Sequence, residues 1–149
     1  MRTRDFIERS YKRINEGTFK STKCASVFNE GEAIYSYGYH YPLLFVIYTP
    51  GGTRLWVCND RGYSSTTGKH IGYSSWLADL SVELPRGERY GEHYARTSAY
   101  DVVLEAVKEK EQRILAAMAG KKRKNTYVYE ALEREAMTQA RHLITLEAQ

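Results

Sequence analysis

Two short stretches of the chain concentrate the side chains that could do chemistry. In the first, Tyr35, Tyr37, Tyr39 and Tyr41 alternate with Ser36, Gly38 and His40. Successive side chains of an extended strand point to opposite faces, so this spacing predicts four phenol rings on one face. A tyrosine face can stack on bases or sugars, and it can equally pack against cross-strand neighbours, because tyrosine is a good strand residue. The second stretch is Asn59-Asp-Arg-Gly-Tyr-Ser-Ser-Thr-Thr-Gly-Lys-His70. Its donors (Tyr63, Ser64, Ser65, Thr66, Thr67, Lys69 and His70) suit a phosphate or another polar ligand, with Lys69 as a point charge and His70 as acid or base. The competing reading is a hydroxyl-rich turn that bonds to its own backbone.

Spacing removes several richer chemistries. Gly62 and Gly68-Lys69 invite comparison with a phosphate-binding loop, but five residues separate the glycines where that motif has four. His70 also stands where the loop needs a magnesium-binding hydroxyl. Cys24, Cys58, His40 and His70 lack the short pairings of zinc modules, so neither metal nor cofactor is expected. His70 has no nearby carboxylate except Asp60, which makes a binding role a better expectation than catalysis.

The elements that must position these residues follow from the hydrophobic pattern. Thr3 to Asn15 reads as a short amphipathic helix with Thr3 as N-cap, a stripe of Phe6, Ile7, Tyr11 and Ile14, and Gly17 as stop. Between about residues 23 and 84 the period shortens. Runs at 24–28, 33–37, 43–48 and 54–58, with another inside 76–84, predict an antiparallel sheet of about four to five strands. Pro50-Gly51-Gly52 joins two of them as a hairpin, and the unbroken apolar run Leu43 to Tyr48 predicts a central strand covered on both faces. Residues 59–70 are expected as loop. From about Ser98 to Ala119 and from Thr126 to Leu146 the pattern is helical, a hairpin that could pack on the sheet or pair with another chain. Lys110 and Glu111 interrupt the first helix's apolar stripe, which favours the sheet. The expectation is one α+β domain over residues 1–149, with a helix at 1–17, a β-rich core at 23–84 and a helical hairpin at 97–149.

Composition bounds the partners. The chain has 149 residues, 42% hydrophobic and 27% charged, as in ordinary globular domains. No run approaches the roughly 20 apolar residues of a membrane span, and Met1 to Glu8 has no secretory h-region. The cysteines are therefore expected as reduced thiols in a cytoplasm. The formal charge of +4 is clustered near the start and in Lys121-Lys122-Arg123-Lys124, and such clusters can meet phosphate backbones.

Tyr35-Ser-Tyr-Gly-Tyr-His-Tyr-Pro-Leu43 followed by Tyr63-Ser-Ser-Thr-Thr-Gly-Lys-His70 resembles a module of uncharacterised bacteriophage proteins, with a Tyr-Gly-x-His-Tyr-Pro element before a Tyr-Ser-x-Thr-Thr-x-Lys-His element. Ser65 and Gly68 depart from that pattern, which has an apolar residue and a serine there. The resemblance implies a phage-type accessory protein in the host cytoplasm. The combined expectation is a non-catalytic binder of nucleic acid, a nucleotide or a host nucleoprotein complex, with host takeover or inhibition of defence as its role. Its ligand-binding residues would be Tyr35, Tyr37, Tyr39, His40, Tyr41, Asn59, Tyr63, Ser64, Thr66, Thr67, Lys69 and His70. Lys121, Lys122, Arg123 and Lys124 would supply attraction. The alternatives are a small phosphate-ester enzyme using His70 and Lys69, and an assembly protein that forms homo-oligomers through its C-terminal helices.

Overall fold

A computed structural model describes residues 1–39, 41–62, 64–85, 96–120 and 126–147. The chain opens with helix α1 (Thr3–Asn15), whose Phe6, Ile7, Ser10 and Ile14 form the buried stripe. Thr3 is the first helical residue rather than the cap; Arg2 holds the cap position with no side-chain bond, and its carbonyl accepts from Phe6 N at 3.0 Å. Gly17 ends the helix as expected. It adopts φ +83°, and the Gly17 and Thr18 amides bond back to the Ile14 and Arg13 carbonyls at 3.0 and 2.9 Å. That doubly bonded stop needs a left-handed residue, which glycine supplies at no steric cost.

Six strands follow: β1 (Thr22–Cys24), β2 (Val27–Glu30), β3 (Ala33–Ser36), β4 (Pro42–Tyr48), β5 (Arg54–Asn59) and β6 (Leu80–Val82). They form one sheet in sequence order, antiparallel except that β6 runs parallel to β5. Two things raise the strand number above expectation and make the sheet mixed. The run at 24–28 breaks at Ala25, which takes φ +53°, so it supplies two strands instead of one. Residues 65–74 are not loop but helix α2 (Ser65–Ser74), which with a 3-10 turn (Ser75–Leu77) makes the crossover a parallel neighbour requires. The β4–β5 hairpin forms at Pro50-Gly51-Gly52, with Gly52 at φ +87° and its amide on the Thr49 carbonyl at 2.8 Å.

Helices cover both faces of the sheet, which is why β4 is apolar throughout. On one face Leu44 and Val46 join Val27, Ile34, Trp56 and Cys58 under α1, with Ile71 and Tyr73 of α2 packed against the same cluster. On the other, Phe45, Ile47, Leu55, Val57, Leu80, Val82 and Leu84 meet α3 (Arg96–Gly120) through Ala99, Tyr100, Val103 and Val107, and α4 (Thr126–Glu147) through Leu146. The C-terminal helices therefore pack on each other and on the sheet. The Lys110 gap in the stripe of α3 lies where the helix meets the sheet end: Lys110 Nζ is 3.4 Å from Glu83, just past β6. Leu115 of α3 and Met137 and Ile144 of α4 are left 45%, 50% and 71% exposed.

No described helix is long and apolar enough to cross a membrane.

Candidate functional site

The four tyrosines do not share a face, because strand β3 ends at Ser36 and the chain turns. Tyr37 takes φ +69°, its amide bonds the Ser26 carbonyl at 2.6 Å, and a tight return brings the Tyr41 amide onto the Gly38 carbonyl at 3.1 Å. Tyr35 is buried and stacks on Phe28, its cross-strand partner, at 5.1 Å; Tyr39 meets both rings edge-on at 5.2 Å. Burial, with Glu30 adding to it, pushes the Tyr35 phenol up to about 12. Tyr37 leaves this cluster and lies beside the imidazole of His70, ring centroids 6.3 Å apart. Tyr41 is buried in the core under α1 and α2, its hydroxyl donating towards the Asn59 and Arg61 carbonyls at 3.1 and 2.5 Å. Of the four, Tyr37 and Tyr39 are the exposed ones, at 49% and 38%.

The second stretch divides in the same way. Asn59 ends β5 as a buried brace: its Oδ1 accepts from the Arg61 and Leu84 amides at 3.2 and 3.3 Å, which ties together the ends of the two parallel strands. Ser64 is the N-cap of α2, accepting from the Thr67 amide at 3.1 Å. Part of the hydroxyl set thus caps its own backbone. Thr67, His70 and Ser74 fall on the buried side of α2. His70 Nδ1 lies 2.8 Å from Ser36 Oγ, and Ser74 Oγ donates to the His70 carbonyl at 2.8 Å. Burial lowers the His70 pKa, favouring the neutral ring.

Neighbouring helical residues diverge by about 100°, so Lys69 points to solvent while His70 points into the protein. The pair required by a phosphate-ester mechanism is not assembled around one substrate position. Ser64, Ser65, Thr66, Gly68 and Lys69 make the exposed side of α2. A Cβ built on Gly68 or Gly72 would meet nothing within 4 Å, so no internal packing accounts for either glycine. One turn further lies Trp76, 63% exposed, a residue that its Ser-Ser-Trp-Leu context in the sequence does not mark as a surface group. His40, Tyr63, Lys121, Lys122, Arg123 and Lys124 lie outside the described residues.

Against known protein families, curated proteins and solved structures, the chain has no match. Its chemistry has to be read from its own surfaces.

Among the described residues no group of three or more metal-ligating side chains converges. Cys58 is buried and its thiol is pushed up to about 12, chiefly by burial, so it is not a reactive thiolate. At the ends of β5 and β6 a charged knot forms: Glu83 faces Arg61 at 4.0 Å and Lys110 and Arg113 at 3.4 Å each. Asp60 sits beside this knot with a buried Oδ1 that finds no hydrogen-bond partner among the described residues. Burial raises its carboxyl, opposed by Lys110 and reinforced by Glu83.

The two helical layers differ in charge. In α1, Arg4, Arg9, Lys12 and Arg13 against Asp5 and Glu8 give +2, and Lys69 of α2 brings that layer to +3. In α3 four cations balance four acids, and in α4 Arg134 and Arg141 against Glu130, Glu133, Glu135 and Glu147 give −2. Arg9, Lys12, Arg13 and Lys69 are all exposed.

Proposed function

We propose that this chain is a non-catalytic nucleic-acid-binding protein whose contact surface is the α1–α2 layer. The observation that carries the reading is the coincidence, on that layer, of a net positive charge with exposed aromatic rings at Tyr37, beside α2, and Trp76, just past its end. Exposed cations attract phosphate without regard to sequence, and aromatic rings add stacking. Burial of His70 and Ser36 takes that polar pair out of solvent, which supports binding over turnover. The resemblance to bacteriophage proteins suits an accessory role of this kind in an infected host.

The test is a mobility-shift titration at rising salt. Binding should weaken steeply with salt, and Lys69→Ala or Arg9→Ala should reduce the slope of log K against log salt by about 0.7–0.9 per cation removed. No retention of DNA or RNA at about 50 mM salt would sink the proposal.

A second reading has its own observation. Met137 and Ile144 are exposed on the outer side of α4, one heptad apart, with exposed Ala140 between them. A helix–helix contact between copies of the chain would cover them. Light scattering of Ile144→Asp decides it: an assembly through α4 falls to monomer, and an unchanged mass removes this reading.

A further inference from the structure

Tryptophan supplies the sharpest clue to which form of nucleic acid this surface takes. The chain has two. Trp56 is buried, with Tyr11 at 4.8 Å and its indole N–H on Asn15 at 2.8 Å. Trp76 is 63% exposed, although its neighbours Leu77 and Ala78 turn in to the core beneath α1 and α2. A large ring kept in water on a layer that also carries the positive charge is placed for a planar apolar partner.

The α2 part of that surface, which runs into Trp76, is poorly furnished for reading a duplex, and the layer's exposed arginines all lie on α1. Reading base edges in a groove calls for side chains such as Arg, Asn and Gln that bond two edge atoms at once. Helix α2, from Ser65 to Ser74, has none of them; its outer side offers short hydroxyls, bare glycines and Lys69. Flat rings instead need bases whose faces are free, which only unpaired strands present. Both rings border α2. Tyr37 lies beside His70, and Trp76 follows His70 by six residues, in the 3-10 turn that continues the helix. Lys69, one residue before His70, is exposed on the same helix, and Gly68 and Gly72 leave the helix backbone open to close approach of a phosphate.

We infer that the α1–α2 surface binds single-stranded rather than duplex nucleic acid, with bases stacked on Trp76 and Tyr37 and the phosphate backbone held by Lys69 and the exposed cations of α1. The inference rests on the nucleic-acid reading proposed above.

Because Trp56 is buried, change in the intrinsic fluorescence of the full chain on binding reports on Trp76. Titration with oligothymidylate should quench that emission, and a self-complementary duplex of equal length should bind more weakly. Trp76→Leu should abolish the quench and weaken oligothymidylate binding by about 5- to 150-fold, the equivalent of one stacked base at about 1–3 kcal/mol. Its melting temperature should match the parent, since the ring is exposed. Salt-sensitive binding without quenching, or duplex bound as tightly as single strand, overturns the stacking inference and leaves the electrostatic surface standing. Binding to neither overturns both.

Discussion

Ser36 Oγ and His70 Nδ1 meet at 2.8 Å with both side chains buried, fastening the end of β3 to the middle of α2. The contact fixes where Tyr37 leaves the sheet and how α2 presents its outer side. It also makes the fold sensitive to acid. Unfolded, His70 takes up a proton near its ordinary value of 6.5; folded, burial lowers that value. Stability is therefore full above about pH 6.5 and falls as pH drops through the window beneath it. Two other described groups contribute. His142 is lowered by burial and Lys110, with the same sign. Asp60 is raised, so its protonation in acid favours the native state and partly offsets the loss. Melting curves from about pH 7.5 to about pH 5, a window that brackets the ordinary histidine value, should show the decline in the parent. In His142→Gln the part due to His70 should persist, and His70→Asn in that background should flatten it. An unchanged slope on replacing His70 would assign the acid sensitivity elsewhere.

Helix α2 is the weakest-encoded element that bears on the site, and its stability can be moved in both directions. Ser64→Ala removes the acceptor for the Thr67 amide and should cost about 1 kcal/mol, whereas Ser64→Asp should retain most of it. Gly72→Ala fills open space at a helical position and should gain about 0.5–1 kcal/mol. Urea unfolding of the three variants checks the signs. A loss on Gly72→Ala would mean that position does not hold regular helix.

Much of this architecture is legible in the sequence, and the misses have physical causes. Phe6, Ile7 and Ile14 with Gly17 give α1 almost to the residue, because stripe and stop agree. Residues 65–74 hide their helix because Ser, Thr and Gly favour caps and turns over helix interiors; it forms because Ser64 caps it and Thr67, His70 and Ile71 pack inwards. The tyrosine alternation misleads because a period of two only has meaning while the strand lasts, and β3 stops at Ser36. Trp76 could not be found at all: nothing in a sequence separates an exposed indole from a core one.

The charged knot at the sheet's end should act as one unit. Burial works to raise the Glu83 carboxyl, but Lys110 and Arg113 outweigh it and hold the group below its usual value. Glu83→Gln removes three partly exposed ion pairs at once, those with Arg61, Lys110 and Arg113. At about 0.2–1 kcal/mol per exposed pair the loss should total about 1–2 kcal/mol, a fall in Tm of about 2–8 °C. The same change removes one of the charges that raise Asp60, so the Asp60 carboxyl should titrate lower. Carbon-13 NMR titration of the aspartates reads this directly, and an Asp60 that does not move would show that the two carboxylates are not coupled.

Tyr37 offers the clearest separation of binding from folding. At φ +69° its backbone sits in the left-handed region, where a side chain costs about 1–2 kcal/mol relative to ordinary conformations. Glycine carries no such cost, although it adds entropy to the unfolded chain. The Tyr37 ring is half exposed, with its centroid 6.3 Å from that of His70, so less packing is lost with it than with a core ring. Tyr37→Gly should therefore keep the parent's stability or exceed it by up to about 1 kcal/mol. If the ring is a base platform, the same variant should bind oligothymidylate about 5-fold or more weakly. A variant that binds normally but melts early would make Tyr37 a brace for α2 instead of a contact. One that folds well and binds poorly would show strain retained at this position for the sake of the surface it presents.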